Sequence, residues 1–208
     1  MLDELVKFFV VLLVVVEPLS LPPVLAGLTE GAGPAWRRRM AVKAVAISVV
    51  VCLVFAATGA ALLDLLGISV HAFKVGGGIL LFLLAVEMVF ARPSGVRHIT
   101  PGEDAEAHQR QDISVFPLAF PLIAGPGALA VILLAFADVP PVSLRFAAQV
   151  AVILLVMAIT LVLMLMTGPV MRVVGVTGGA VLGRLLGVLL AALAAQFVMD
   201  GIRGAMGA

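Results

Sequence analysis

Charge is what this sequence has least of. Of its 208 residues only 12% are Asp, Glu, Lys or Arg, while 63% are hydrophobic. A soluble domain is nearer one quarter charged and half apolar, so so much apolar surface has no place in a soluble fold of this size. A bilayer accepts it, because lipid tails solvate apolar side chains. Thirteen basic residues against twelve acidic leave a net charge of +1. No basic run is long enough to track phosphates, which excludes nucleic acid as a partner. The single cysteine, Cys52, lies in an apolar run and excludes both an internal disulfide and a CxxC redox pair. The start, Met1-Leu2-Asp3-Glu4, lacks the basic n-region of a cleaved signal peptide, so the first apolar run is expected to stay in the mature protein. No GxSxG, GxxxxGK[ST], GxGxxG or HExxH is present. The chain is therefore not read as an enzyme, and no motif asks for a cofactor. His71, His98 and His108 have no metal-ligand spacing.

What is present is long apolar runs. A helix needs roughly 20 apolar residues to cross a hydrocarbon core of about 30 Å. Six stretches qualify: Leu5–Leu28, Met40–Leu66, Val70–Phe90, Ile113–Ala137, Phe146–Val170 and Ala180–Ile202. The fold class that follows is an all-α polytopic membrane protein of six spans. Its one long polar segment, 91–112, separates a first three-span unit, 1–90, from a second, 113–208. Arg37, Arg38 and Arg39 beside Trp36 read as an interface anchor. Loops one, three and five carry nine basic residues against four on the other side. By the positive-inside rule those loops, including the long polar one, face the cytoplasm, and both termini lie outside.

The two units repeat. Pro18-Leu19-Ser20-Leu21-Pro22-Pro23 parallels Pro121-Leu122-Ile123-Ala124-Gly125-Pro126, and Leu66-Gly67-Ile68-Ser69 parallels Val174-Gly175-Val176-Thr177. With one short insertion, Lys74 aligns with Arg184, Gly77 with Gly187 and Ala85 with Ala195. An odd number of spans per unit makes the second enter the membrane from the opposite side. The expected plan is thus a 3+3 inverted repeat, recurrent among secondary transporters.

Proline interrupts spans one and four. Eleven apolar residues precede Glu17-Pro18, and eleven, Ile113 to Ile123, precede Ala124-Gly125-Pro126-Gly127. At the α-helical rise eleven residues cover roughly 16 Å, half the hydrocarbon core, which puts both breaks near the midplane. Proline removes an N–H and clashes with the preceding turn. Pro22-Pro23 and Gly125-Pro126-Gly127 are therefore expected to open the backbone, with Pro126 suited to a first helical position. Open backbone at that depth has to be buried in protein or line a watery cavity. Freed N–H groups favour an anion such as a carboxylate. Glu17, costly as an ion in mid-membrane, would hold a proton or face an ammonium group or coupling cation. The expected substrate site is Glu17, Pro18, Ser20, Pro22 and Pro23 with Ala124, Gly125, Pro126 and Gly127. Gln196, deep in the sixth span, joins it as a lining residue.

The remaining features have plainer readings. Lys74 and Glu87, thirteen residues apart, sit about 220° apart around a helix and cannot face each other; both lie near span ends, where snorkelling is cheap. Asp200 and Arg203 read as a solvated pair. Gly76-Gly77-Gly78 permits close backbone contact. Gly179, Gly183, Gly187, Ala191 and Ala195 form a small-residue stripe, read as internal packing ahead of a dimer face; a homo-oligomer stays open.

These pieces resemble the MarC family of small bacterial inner-membrane proteins over nearly the full length. The resemblance rests on Pro18-Leu19, Gly67-Ile68-Ser69 with Lys74-Val75-Gly76-Gly77-Gly78, Pro117-Leu118-Ala119 leading to Ala124-Gly125-Pro126-Gly127, Arg184-Leu185-Leu186-Gly187, and Gln196-Phe197 with Asp200-Gly201-Ile202. It implies a place among LysE-like exporters in the bacterial inner membrane, some of whose members are described as transporters of small neutral amino acids. It implies Asn-Pro where this chain has Glu17-Pro18, and often Arg where Lys74 stands. The expectation is a secondary transporter exporting a small amino acid or similar metabolite, one half rocking against the other, with H⁺ or Na⁺ as coupling ion. A passive channel and a non-transporting scaffold are its rivals.

Overall fold

The computed structural model describes residues 2–29, 31–90, 112–137, 139–140, 143–173 and 175–207. The polar segment with Arg92, Arg97, His98, Glu103, Asp104, Glu106, His108 and Arg110 lies outside the described residues. Nine elements follow in order: α1 Leu2–Val16, α2 Leu21–Leu28, α3 Pro34–Leu65, α4 Val70–Phe90, α5 Ser114–Ile123, α6 Pro126–Phe136, α7 Leu144–Leu165, α8 Thr167–Val173 and α9 Gly175–Ala205. Among the described residues all regular structure is helical. Five stretches are long and apolar enough to cross a membrane: Leu2–Leu28, α3, α4, α7 and Val181–Ala205. The pair α5 and α6, bent by 58°, makes a sixth if the two cross together as one broken span. The chain is a polytopic membrane protein.

The span ends move where local chemistry moves them. Helix α3 opens at Pro34, six residues before the apolar run starts, with Gly33 in extended conformation ahead of it. Proline costs nothing at a first helical position. The 32 residues of α3 reach about 48 Å at helical rise, well beyond the hydrocarbon core. Arg37, Arg38 and Arg39 therefore stand on a helix end and not in a loop. Arg37 Nε donates to Thr29 Oγ1 at 2.6 Å, so one of the three arginines serves the C-terminus of α2, where a cation suits the free carbonyls. The fifth span stops at Leu165, short of Val170, because a new helix starts at Thr167 with Pro169 in its first turn.

The centre of the bundle is built from the broken segments. Of the apolar window in Leu2–Leu28, 56% is buried, against 22% in Val181–Ala205. Helix α6 is buried over nearly its whole length, from Gly127 to Phe136. The unbroken helices α3, α4, α7 and α9 surround α1 and α6 and carry most of the exposed apolar side chains. Phe136 of α6 stacks edge-on with Phe8 at 6.1 Å and Phe146 at 5.0 Å, closing one end of the core. At that end Arg145 meets Glu4 at 3.4 Å. At the other, Lys43 meets Asp112 at 2.7 Å. Lys43 and Ser114 together hold the Asp112 carboxyl well below the usual carboxylate range.

The glycines of α4 divide between two neighbours. A Cβ on Gly77 would touch Ala130 and Leu134 of α6 at 3.6 Å, and one on Gly78 would meet Val198 at 2.8 Å and Ala194 O at 2.9 Å on α9. Gly187 sits against Met88, Val89 and Ala85, and Gly201 against His71, Val75 and Lys74. Helices α4 and α9 are thus antiparallel and in near backbone contact, and among the described residues no helix pair has a more extensive interface. The small residues of α9 at 183 and 187 are buried inside the protomer.

Candidate substrate site at two helix breaks

The first break is four residues long, Glu17 to Ser20. Glu17 N still donates to Leu13 O at 2.9 Å, the last helical bond of α1. Then Glu17 turns to φ +51, the one described non-glycine residue with positive φ. That conformation is uncommon for glutamate and several-fold more frequent for asparagine. The backbone itself thus gives a reason for asparagine here, quite apart from ligand chemistry. Ser20 closes the turn: its N–H and its hydroxyl both donate to Glu17 O, at 3.1 and 2.9 Å.

Pro22 and Pro23 do not open this break; they start the helix after it. Helix α2 begins at Leu21 with both prolines in its first turn, where the missing N–H groups have no partners to lose. The expectation that this pair itself opens the backbone is corrected accordingly. Pro18 and Pro22 are buried, while Glu17, Ser20 and Pro23 are half-buried.

The second break is larger. Residues 114–123 form a wide coil in which Leu118 N–H donates to Ile113 O at 3.3 Å and Ala124 N–H to Ala119 O at 2.8 Å, five residues back. Phe116 and Phe120 are extended, at φ −128, ψ 127 and φ −131, ψ 129, and both precede a cis proline, Pro117 and Pro121. The axis then bends by 58° into α6. Regular helical rise does not hold through this coil, so equal depth of the two breaks does not follow from residue counting. The breaks also differ in degree: Leu2–Leu28 continues as one span, while α5 and α6 diverge sharply. Gly125 is extended, φ −74 and ψ 172, and Pro126 opens α6 as expected.

The structure brings the two breaks together. A Cβ on Gly127 would lie 3.0 Å from Val15 and 3.2 Å from Leu84, so the start of α6 packs on α1 two residues before Glu17. Gly125 is tighter still: a Cβ there would sit inside the van der Waals shell of Pro121 O. Ala124 is fully buried. Val15, Leu84, Pro121, Gly125, Pro126 and Gly127 line a narrow crevice with room for about one water molecule. The Glu17 carboxylate extends to α9, where its Oε1 lies 2.8 Å from the place a Cβ on Gly183 would take. The crevice is smaller than any amino acid.

Gln196 is not part of this junction. It is exposed on α9 and donates to Asp200 at 2.8 Å, so Asp200 bonds to the residue one turn before it on the helix. Three polar residues are buried where sequence reasoning did not place them. Ser48 of α3 is fully buried, bonded to Ala44 O at 2.9 Å and reaching Ala119 O of the coil at 3.5 Å. A hydroxyl from a neighbouring helix is one of the groups that satisfy broken backbone in a membrane. Gln149 of α7 donates to Ala135 O of α6 at 3.0 Å. Glu87, expected to snorkel, is 6% exposed. Which face of a helix turns inward decides all three, and periodicity in a nearly all-apolar run does not reveal it. The coil did leave a signal: Phe116-Pro117-Leu118 recurs as Phe120-Pro121-Leu122, and a residue before proline is driven to extended backbone. Among the described residues no group of three or more His, Cys, Asp or Glu is placed to hold a metal ion.

A sequence profile described as MarC family integral membrane protein matches residues 2–206. A membrane protein of Methanocaldococcus jannaschii is 35% identical, over 92% of this chain and 92% of its own. The membrane protein YvbG of Bacillus subtilis is 32% identical over 98% and 96%. The inner membrane protein YhgN of Escherichia coli is 32% identical over 97% and 98%. Such relatives occur in archaea as well as bacteria. No solved structure matches the fold.

Proposed function

The chain belongs to the MarC family of integral membrane proteins, and we propose that it is a secondary transporter of a small amino acid or similar metabolite in the plasma membrane. The observation that carries this reading is the meeting of two broken spans at the buried centre of the bundle, Gly127 on Val15. Broken backbone inside a membrane protein is costly and is tolerated where it is buried in protein or lines a watery cavity, and discontinuous helices recur at transporter substrate sites. The break at Glu17 offers a carboxylate for an ammonium group or a coupling cation. The start of α6 offers N–H groups for a carboxylate. The two ends of an amino acid ask for that pair of surfaces, and the crevice between them has to open to admit one.

The 3+3 inverted repeat is part of the proposal, and reciprocal contacts support it. Gly78 of α4 meets Ala194 and Val198 of α9, and Gly187 of α9 meets Ala85 and Met88 of α4. A pseudo-twofold axis in the membrane plane has that consequence. The near absence of polar residues from α6 and α7 disfavours a passive aqueous channel.

The test is uptake in proteoliposomes over a panel of radiolabelled amino acids, with imposed proton and sodium gradients in turn. At least one small amino acid is expected to accumulate above empty vesicles and to depend on one gradient. A panel in which nothing moves, under any gradient, would remove the transporter reading.

A further inference from the structure

The helices do not divide into the two halves that the repeat suggests. Helix α4 belongs to the first three-span unit and α9 to the second, yet close contacts join them along the length of α4, from Gly187 against Met88 to Gly204 against His71. Gly78, Gly187 and Gly201 each leave less than about 3 Å for a methyl group toward the facing helix, and Gly204 lies directly under the His71 ring. Backbones that close have no slack to slide, and small residues at such interfaces are what allow the approach. Rocking one half against the other would have to pull this zipper apart.

The pair meets the rest over a smaller interface. Its main contacts run to α6, to α1 and to the short α8. Gly77 meets Ala130 and Leu134 of α6 at an ordinary 3.6 Å, and Leu81 and Leu84 lean on Gly127. The pair joins α3 through the four residues 66–69, where Gly67 adopts φ +66. Across this smaller boundary the Glu17 carboxylate reaches Gly183. Both breaks therefore face the α4–α9 pair, and each touches it at a glycine or through one.

We infer that α4 and α9 move as one body against the other helices, and that Gly183 is the positioning residue that seats the Glu17 carboxylate when the central site is closed. The inference rests on the transporter reading for its purpose, but interhelical distances report it without any transported solute. A closed seat holds the carboxylate against α9; moving the pair away frees it toward the crevice. A side chain at position 183 would push Oε1 off, and the displaced atom is the far end of a flexible side chain, so the fold survives.

The experiment is double electron–electron resonance in liposomes, in a Cys52→Ala background, with spin labels on exposed positions. Phe90→Cys on α4 with Met199→Cys on α9 reports within the pair; Phe90→Cys with Leu155→Cys on α7 reports across the boundary. The first distance distribution is expected to be single and narrow, the second to have two components. Gly183→Ala is expected to raise the more open component several-fold, and Glu17→Asp on top of it, shorter by a methylene, to reverse that rise. A merely structural glycine would show no such rescue. A distribution within the pair as broad as the one across the boundary, or two equally narrow ones, would overturn the moving body. A component ratio indifferent to Gly183→Ala, or not restored by Glu17→Asp, would overturn the seat. Failure of amino acid uptake with two components still present would count against the transporter reading and leave this inference standing.

Discussion

Gly125→Ala is expected to destabilise the protein by at least about 3 kcal/mol, the upper part of the range for forced overpacking. For a chain of this size that lowers the unfolding midpoint by on the order of 10 °C. The cause is space and not dihedral freedom. Gly125 has φ −74 and ψ 172, which any residue adopts. A methyl group there would collide with Pro121 O, a backbone atom fixed by the coil on one side and by the start of α6 on the other. Relief would require the 58° junction to open. Two neighbours calibrate the effect in the same melting experiment. Gly127→Ala meets only side chains, Val15 and Leu84, which yield by a few tenths of an ångström, so its loss should be clearly smaller. Gly76→Ala meets nothing within 4 Å and should be neutral or slightly stabilising. A Gly125→Ala protein as stable as Gly76→Ala would mean that the junction is not packed as described.

Glu17 should separate stability from function. Glu17→Gln keeps the size and the left-handed backbone but removes the charge. Under the transporter reading it should cut uptake by about 10- to 100-fold, the equivalent of roughly 1.5–3 kcal/mol for a hydrogen bond to a charged group. Its melting temperature should barely change. Glu17→Asn also removes the charge, but asparagine tolerates positive φ far better, so that protein should be more stable than wild type while transporting as poorly as Glu17→Gln or with altered preference. A residue that holds an unfavourable backbone conformation for chemistry has this signature. Equal uptake by wild type, Glu17→Gln and Glu17→Asn would reduce Glu17 to a helix end.

Much of the architecture was legible in the sequence because bilayer thickness reduces a span to a count of apolar residues. The long apolar spans, the helix start at Pro126 and the close approach at Gly77 and Gly78 all follow from such local rules. The first break falls at Glu17-Pro18, where the sequence puts it, but Pro22-Pro23 start α2 and do not widen it. Pro22-Pro23 ends a helix or begins one depending on where the previous helix stops, and that was decided by Glu17 leaving helical φ. The second break was found at Ala124-Gly125-Pro126-Gly127, while the disorder of the helix already begins at Phe116, where two Phe-Pro steps act in succession. Glu87, Ser48 and Gln149 show the limit. In runs that are apolar all round there is no polar face to set the rotation of a helix, so the inward residues are fixed only by packing. Gln196 illustrates the same limit in reverse: deep in its span by count, it faces outward and bonds to Asp200.

The central claim is that the backbone opening between α1 and α2 belongs to a path that water and solute reach. Cysteine accessibility measures this without knowledge of the substrate. In a Cys52→Ala background, Ser20→Cys at the half-buried turn and Phe82→Cys on the exposed apolar face of α4 are treated in membranes with a charged, impermeant thiol reagent. Ser20→Cys is expected to be modified, and Phe82→Cys, facing lipid tails, to stay unmodified. If Ser20→Cys stays as inert as Phe82→Cys, with reagent supplied from either side, the opening is a packed kink and the site proposed here does not exist.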